Sequence, residues 1–202
     1  MAEKKGLKKE QKKTLWNILV IIGILIIGFI LTFIILNKSG GSFIYRGVNF
    51  TTVNFCDAGP PCLITYNTKI PIIYEGKPAN YNFYIRNDPR DLEKEVPFYG
   101  DLLIKDEMNL EITYNNSCEG YEKIALENFL NLHGVAGINI SSQENVSCDL
   151  SGNEMNILIS DANKTEIRQL GPACYRINIK GCEIIKGTER FMLETFVKIK
   201  EM

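Results

Sequence analysis

The amino-acid sequence predicts a mixed α/β (α+β) protein with an N-terminal transmembrane helix, a β-rich segment and a disulfide-stapled external domain. Three observations predict this class. Residues 15–36 form an uncharged apolar run, residues 43–105 alternate with the period of strands, and residues 106–202 combine strand-like runs with two helical patterns. The last segment has the order β-α-β-β-β-α, which implies a sheet with helices packed on it.

The first 36 residues have the pattern of a membrane anchor. Residues 1–14 form a basic cytoplasmic tail with six lysines and two glutamates, and residues 15–36 (LWNILVIIGILIIGFILTFIIL) contain no charged side chain. At about 1.5 Å per helical residue, a run of this length crosses a hydrocarbon core of about 30 Å. The lysine excess before the run predicts a single-pass protein of the cytoplasmic membrane. Its N-terminus is expected inside and its C-terminal domain outside, with the lipid bilayer as partner of residues 15–36.

Two other interpretations of this segment stay open. Ser39-Gly-Gly41 offers small residues to a signal peptidase, although the apolar run is longer than the usual hydrophobic region of about 7–15 residues. Lys5-Gly6 resembles the processing site of archaeal pilins and archaellins, in which a basic leader ends in Gly before a long apolar helix. In that family the apolar run follows the cut almost at once, whereas seven further residues intervene here. Uncleaved anchoring is therefore expected.

Residues 37–42 form a short linker, and the chain after it has the features of an oxidising compartment. All six cysteines follow the apolar run, a distribution that favours disulfides over a metal site. The candidate disulfide residues are Cys56, Cys62, Cys118, Cys148, Cys174 and Cys182. When the seven lysines and two glutamates of residues 1–38 are set aside, 16 basic and 22 acidic residues remain. The resulting net charge of about −6 argues against a nucleic-acid partner.

The β-rich segment, residues 43–105, is expected to form a small antiparallel unit. Its strand-like runs are separated by turns that contain Gly or Pro, and they cover residues 43–50, 62–74, 80–87 and 101–106. Pro71 interrupts the second run, which indicates an edge position or a bulge. The charged cluster Arg86-Asn-Asp88-Pro-Arg90 predicts an Asx/Pro turn. Because loops on a rigid scaffold often carry binding, Arg86, Asp88 and Arg90 are also a candidate recognition loop.

The external α/β domain, residues 106–202, alternates between strand and helix patterns. Strand-like runs lie at 109–114, 137–141, 155–160 and 174–180, and helical patterns lie at 119–134 and about 188–200. Gly134 is expected as the C′ residue of the first helix, and Thr188 as the N-cap of the second. His133, the one histidine of the sequence, is expected to interact with the helix dipole rather than to act as a ligand or base.

The cysteine positions restrict the disulfide pairing. An extended segment 174–182 (CYRINIKGC) has ends about 26 Å apart at roughly 3.3 Å per residue, so its two cysteines are not expected to pair with each other. Cys56 is expected to pair with Cys62 across the intervening Gly-Pro-Pro turn. Cys118 and Cys148 then pair with the two cysteines of 174–182, in an order that the sequence leaves open.

The sequence contains several candidate glycosylation sites but no motif of a known catalytic, cofactor or metal site. N-x-[ST] sequons exceed the roughly two that chance predicts, and the candidate glycosylation sites are Asn49, Asn115, Asn139, Asn145 and Asn163. Asn37 also fits the pattern but lies close to the predicted membrane. The sequence has no Walker or dinucleotide loop, no G-x-S-x-G elbow, no C-x-x-C and no zinc-type spacing. We therefore assign no catalytic, cofactor-binding or metal-binding residue and expect no cofactor.

Two segments carry a resemblance to a group of proteins. Tyr84-Ile-Arg-Asn-Asp-Pro-Arg90 and the segment from Cys174 to Arg190 resemble uncharacterised single-span membrane proteins of small-genome archaea. The resemblance covers most of the external part. It implies the same topology and an archaeal source, and it implies no particular activity.

These features together predict a membrane-anchored cell-surface protein, a non-enzymatic binding or cell-envelope component with a protein or an envelope polymer as partner. One alternative is a membrane-tethered enzyme, either a hydrolase or a thiol oxidoreductase in which Cys118 precedes a helix. The other is a pilin-like filament subunit. The oligomeric state stays open.

Overall fold

The structure is a computed structural model that describes residues 16–32, 41–56, 59, 61–115 and 117–201. The chain divides into two units, residues 1–41 and residues 42–202. The predicted basic tail, residues 1–14, lies outside the described residues, and so do Asn37 and most of the predicted linker.

In the first unit, residues 16–32 form helix α1. The described part of the predicted 15–36 span is therefore helical, while Leu15 and residues 33–36 lie outside the described residues. Within the ranges that the structure describes, no helix combines the length and the apolar character needed to cross a membrane.

The first sheet of the second unit is an antiparallel meander in chain order, as the period-two runs predict. Its strands are β1 Ser42–Tyr45, β2 Val48–Phe55, β3 Leu63–Tyr74 and β4 Lys77–Ile85. The run 43–50 is not one strand, because Arg46 and Gly47 have positive φ (45° and 85°) and make the two-residue turn between β1 and β2. Pro71 occupies a stretch of β3 beyond Asn67, where pairing with β2 ends, which agrees with the predicted edge position.

The second sheet is mixed and has the order β5-β9-β10-β8-β6-β7. Its strands are β5 Phe98–Tyr99, β6 Glu107–Ile112, β7 Asn139–Ser142, β8 Met155–Asp161, β9 Glu166–Gly171 and β10 Cys174–Ile179. The strands β7, β6, β8 and β10 run parallel, whereas β9 is antiparallel to β10. Helix α3, Tyr121–Val135, makes the crossover between the parallel strands β6 and β7. Strand β9 was not predicted, because Ile167 and Leu170 are its only large apolar residues.

Helix α4, Ile184–Glu201, packs against both sheets. The ring of Phe196 lies 6.2 Å from that of Phe50 in the first sheet, and the ring of Phe191 lies 5.6 Å from that of Tyr175 in the second. All four rings are buried. At about 1.5–3 kcal/mol for each large apolar side chain removed from water, these contacts are a main source of stability for the unit.

Helix α4 approaches the second sheet most closely at Gly187. A Cβ atom built on this residue would lie 2.3 Å from Cδ1 of Ile179 and 3.2 Å from Cγ2 of Ile177. Both isoleucines are fully buried in β10. Only glycine therefore fits here without a shift of the core.

The predicted strand at 101–106 is wrong: residues 101–105 have no regular structure. Two of their backbone groups form hydrogen bonds with the Tyr175 side chain instead. The Leu103 N–H donates to the Tyr175 hydroxyl at 2.8 Å, and that hydroxyl donates to the Asp101 carbonyl at 2.8 Å. This segment is bonded to a side chain of β10 rather than to a neighbouring strand.

Two predicted helix ends are also wrong. Helix α4 begins at Ile184, one turn before Thr188, and the buried Thr188 hydroxyl donates to the Ile184 carbonyl at 2.9 Å instead of capping the helix. Gly134 lies inside α3, and the first glycine with positive φ after this helix is Gly137. The helix thus continues past the position that its glycine indicated.

Candidate functional site

All six cysteines form disulfides, which confirms the predicted staples. The pairs are Cys56–Cys62, Cys118–Cys182 and Cys148–Cys174, and no cysteine is free. The two cysteines of 174–182 therefore have different partners, as the strand geometry of β10 requires. Three disulfides indicate an oxidising environment outside the cytoplasm.

The three residues of the predicted recognition loop separate into two places. Asp88 is the N-cap of helix α2, Pro89–Glu95, so the expected Asx/Pro turn is the start of a helix. Its carboxylate accepts from the Arg90 N–H at 2.9 Å and from the Arg90 guanidinium, which holds the pKa of Asp88 below its ordinary value. The guanidinium also lies 4.1 Å from the ring centroid of Phe43. Asp88 and Arg90 thus satisfy each other at the start of α2.

Arg86 instead lines a groove of about 310 Å³ between the first sheet and helix α3, which we call the Arg86 groove. Aromatic and carboxamide side chains make up most of the functional groups in its lining: Phe55, Tyr81, Tyr84, Asn82, Asn128 and Asn131. The Arg86 guanidinium lies 5.5 Å from the ring centroid of Tyr121 on α3. In the described part of the chain, Arg86 makes no ion pair.

Strand and helix periodicity bring these side chains together. Asn82 and Tyr84 are two residues apart on β4, so both point to the same side of the strand. Asn128 and Asn131 are three residues apart on α3 and lie on one helix face. The rings of Phe55 and Tyr84 meet edge to face with centroids 5.7 Å apart. The three-residue spacing of Asn128 and Asn131 can be seen in the sequence, but the position of this helix face opposite β4 cannot.

Glu189 of α4 holds the chain segment that carries Arg86. Its Oε1 accepts the Arg86 N–H at 2.6 Å, and its Oε2 accepts the Asn87 N–H at 3.0 Å and the Asn87 carboxamide at 2.7 Å. Glu189 is only 2% exposed. Burial raises its pKa to about 7, although the hydrogen bonds from Arg86 and Asn87 act in the opposite direction. Arg86 is therefore presented by a backbone that is tied to the core of the unit.

A second buried carboxylate on α4 ties the β1–β2 turn to the helix. Glu194 Oε1 accepts from the Arg46 guanidinium at 2.5 Å and from the Arg190 guanidinium at 2.7 Å. Arg190 also donates to the Val96 carbonyl at 3.0 Å. Burial by itself raises the pKa of Glu194, but the two guanidinium groups hold it below its ordinary value. Sequence reasoning missed both glutamates, because nothing in the α4 pattern distinguishes a buried Glu from an exposed one.

His133 does not have the predicted role. It is fully buried, its Nδ1–H donates to the Phe129 carbonyl at 2.7 Å, and its Nε2 lies 3.3 Å from Oγ1 of Thr195. Burial lowers the pKa of His133 to about 4. The imidazole is therefore neutral near pH 7 and has no cationic interaction with the helix dipole, so that expectation was wrong.

The remaining candidate residues are dispersed. The five candidate glycosylation sites Asn49, Asn115, Asn139, Asn145 and Asn163 are all exposed, and their use stays a prediction. Asn49 also lines a cavity of about 470 Å³ between the first sheet and the last turns of α4, where Lys69 and Lys200 lie beside Val48 and Phe196. Among the residues described, no group of three or more His, Cys, Asp or Glu side chains is arranged to hold a metal ion.

The fold and the groove define a disulfide-stapled α+β unit with an aromatic and amide-lined surface site. Comparison of the chain with family models, curated proteins and solved structures finds no match in any of the three. Function is therefore inferred from the residues of the site.

Proposed function

We propose that the chain is a single-pass, membrane-anchored cell-surface protein that binds an envelope partner through the Arg86 groove without catalysing a reaction. The anchor is residues 15–36, with the N-terminus inside and residues 42–202 outside the cell. Its support is the uncharged run of 22 residues and the preceding lysines. The disulfides of the second unit agree with an external position.

One observation carries the binding proposal: the groove combines exposed rings with a guanidinium that has no ion pair among the described residues. Phe55 and Tyr84 are each 42% exposed and Tyr81 is 38% exposed, although large aromatic side chains are usually buried. Aromatic and Arg side chains are the residues that most often dominate binding energy. Glu189 fixes the backbone of Arg86 before a partner arrives, which reduces the entropy lost on binding.

Among its described lining residues, the groove contains neither a histidine nor a cysteine. The histidine of the chain is buried away from the groove, and the six cysteines are all paired. We therefore assign binding rather than catalysis to the groove. The pilin-like alternative is tested by N-terminal sequencing, since loss of residues 1–6 would favour it.

The binding proposal is tested by capture of isolated cell envelopes on the immobilised full chain, carried in lipid nanodiscs. We expect Arg86→Ala to weaken capture at least tenfold, because it removes the guanidinium but keeps the N–H that Glu189 binds. Arg90→Ala is the matched control, since Arg90 is paired with Asp88 outside the groove and capture should not change. Equal effects of the two substitutions, with unchanged circular dichroism, would reject the groove as the binding site.

The proposed topology has its own test. In sealed, inside-out membrane vesicles, protease should remove only the basic tail and leave the disulfide-linked unit intact. Digestion of that unit in such vesicles would show that the orientation is reversed.

A further inference from the structure

The aromatic part of the Arg86 groove offers flat apolar faces to a ligand. The rings of Phe55 and Tyr84 meet edge to face at 65° with centroids 5.7 Å apart, which makes a corner, and each residue is 42% exposed. A pyranose ring carries its axial C–H groups on one face, and these groups pack on the electron-rich face of an aromatic ring. The corner therefore suits a sugar ring, which is apolar on its faces and polar around its edge.

The polar part of the groove supplies hydrogen-bonding groups that the protein does not use. Within the described ranges, the carboxamides of Asn82, Asn128 and Asn131 make no hydrogen bond with another residue. Each carboxamide has two N–H donors and one oxygen with two lone pairs. A sugar hydroxyl both donates and accepts, so one carboxamide can bond two adjacent hydroxyls. Arg86 adds several N–H donors for further hydroxyl or ring oxygens.

The charge and size of the groove restrict the ligand further. Among the lining residues that the structure describes, Arg86 is the one charged residue, while the chain after residue 38 carries a net charge of about −6. A polyanion would be repelled by most of this surface. The volume of about 310 Å³ lies at the lower end of ligand pockets, which are about 300–1,000 Å³. A short stretch of an uncharged chain meets both conditions.

We infer that the groove binds a short stretch of a neutral glycan. A pyranose ring packs against Tyr84 and Phe55, and its hydroxyls bond to Asn82, Asn128 and the Arg86 guanidinium. This inference rests on the proposed binding function and names the chemical class of its partner. The source is the glycan of an envelope polymer or of a glycoprotein, since both present the same sugar surface.

The test uses the full chain in nanodiscs, so that no glycoside detergent competes for the groove. The probes are isolated envelopes before and after periodate oxidation, which cleaves vicinal diols of sugars, and envelopes treated with protease. Soluble competitors are a neutral tetrasaccharide set (cellotetraose, chitotetraose and mannotetraose), tetragalacturonate and a proline-rich peptide. We expect periodate to reduce capture at least tenfold, and at least one neutral tetrasaccharide to compete. Protease should reduce capture only if the glycan is carried by a protein.

Matched variants locate the site. Tyr84→Ala should weaken capture at least tenfold, whereas Tyr74→Ala, which removes a 64% exposed tyrosine outside the groove, should not change it. Asn128→Ala removes no aromatic ring and should weaken capture several-fold even if the Tyr84 variant folds poorly. Its control is Asn80→Ala, an exposed asparagine outside the groove.

The two proposals fail in different ways. If capture depends on Arg86 but survives periodate and no neutral tetrasaccharide competes, or if only tetragalacturonate or the peptide competes, the neutral-glycan inference is overturned and the binding function stands. If neither Arg86→Ala nor Tyr84→Ala changes capture, the groove is not a binding site and both proposals are overturned.

Discussion

Glu189 and His133 are buried groups whose pKa values are shifted in opposite directions, and this makes a specific pH dependence. Burial raises the pKa of Glu189 from 4.5 to about 7 and lowers the pKa of His133 from 6.5 to about 4. Folded Glu189 holds its proton more tightly than the unfolded chain does. Its contribution to stability is therefore fully present below about pH 4.5 and is lost as the pH rises to about 7. Folded His133 holds its proton less tightly, so its contribution is lost as the pH falls from about 6.5 to about 4.

The two effects oppose each other over the same pH range. A pKa change of about 2.5 corresponds to about 3 kcal/mol in the free energy of unfolding. In the wild type the two slopes largely cancel between about pH 4.5 and 6.5. The Glu189→Gln variant lacks the loss that Glu189 causes in the wild type. Its free energy of unfolding should therefore rise by about 3 kcal/mol relative to that of the wild type as the pH rises from about 4.5 to 7. His133→Asn should gain a similar amount as the pH falls from about 6.5 to 4.

The assay is denaturant unfolding of the full chain in nanodiscs, followed by circular dichroism at intervals between pH 4 and pH 8. The Gln amide faces the Asn87 donors and lowers stability by about 1 kcal/mol at every pH, which leaves the slope unaffected. Glu93→Gln is the matched control, because the Glu93 side chain is 44% exposed. If the Glu189→Gln curve runs parallel to those of the wild type and the control, Glu189 does not carry a raised pKa and the reasoning is wrong.

Further predictions concern packing and the disulfides. Gly187→Ala should destabilise the unit by about 1–3 kcal/mol, because the new Cβ meets the fully buried Ile179. Gly134→Ala should stabilise it by up to about 1 kcal/mol, because nothing lies within 4 Å of the new Cβ. Thermal unfolding measures both effects, and destabilisation by both substitutions would contradict the close approach at Gly187. Replacing the Cys118–Cys182 pair by serines should cost about 4 kcal/mol and replacing Cys56–Cys62 about 2 kcal/mol, since their sequence separations are 64 and 6. The same unfolding experiment checks this order, and a reversed order would show that loop length does not govern the effect. Thiol labelling of the unreduced protein should detect no free cysteine, and labelling at any one position would contradict the pairing.

Strand patterns with strong alternation were predictable, because their local signal agrees with their burial. Strands β3 and β4 follow such runs, and the turn at Glu75-Gly76 between them is where the sequence indicates it. Strand β9 alternates weakly, and it is ordered by pairing with β10 and β5 rather than by its own residues. Segment 101–106 shows the opposite case: its apolar residues predict a strand, but its backbone groups bond to the Tyr175 side chain instead of to a neighbouring strand.

The start of helix α2 shows a signal that was present and misinterpreted. Asp88 followed by Pro89 is typical both of a turn and of an N-cap with proline at N1. The following residues decide between them, and the seven-residue helix contains Leu92 as its buried apolar residue in addition to the proline. Such a short element has no periodicity to support the helical alternative.

The candidate site could be predicted only in part. Arg86 was named because charged turns on a β scaffold are exposed, and it does line the groove. Asn128 and Asn131 line the groove only because α3 packs beside β4, and this packing joins residues more than 40 positions apart in the chain. Glu189 acts through Arg86 from more than 100 positions away. No local pattern encodes contacts of this range.

Helix α4 is the last element of the unit, yet it contacts both sheets, the Arg86 segment and the β1–β2 turn. During synthesis, the preceding strands therefore emerge before the helix that completes their core. The Cys118–Cys182 disulfide likewise closes only after residue 182 has arrived. Because these contacts are distant in sequence, folding of the unit should be slow and should follow the synthesis of α4 rather than accompany the synthesis of the strands. The two sheets therefore gain their common packing partner only late in folding.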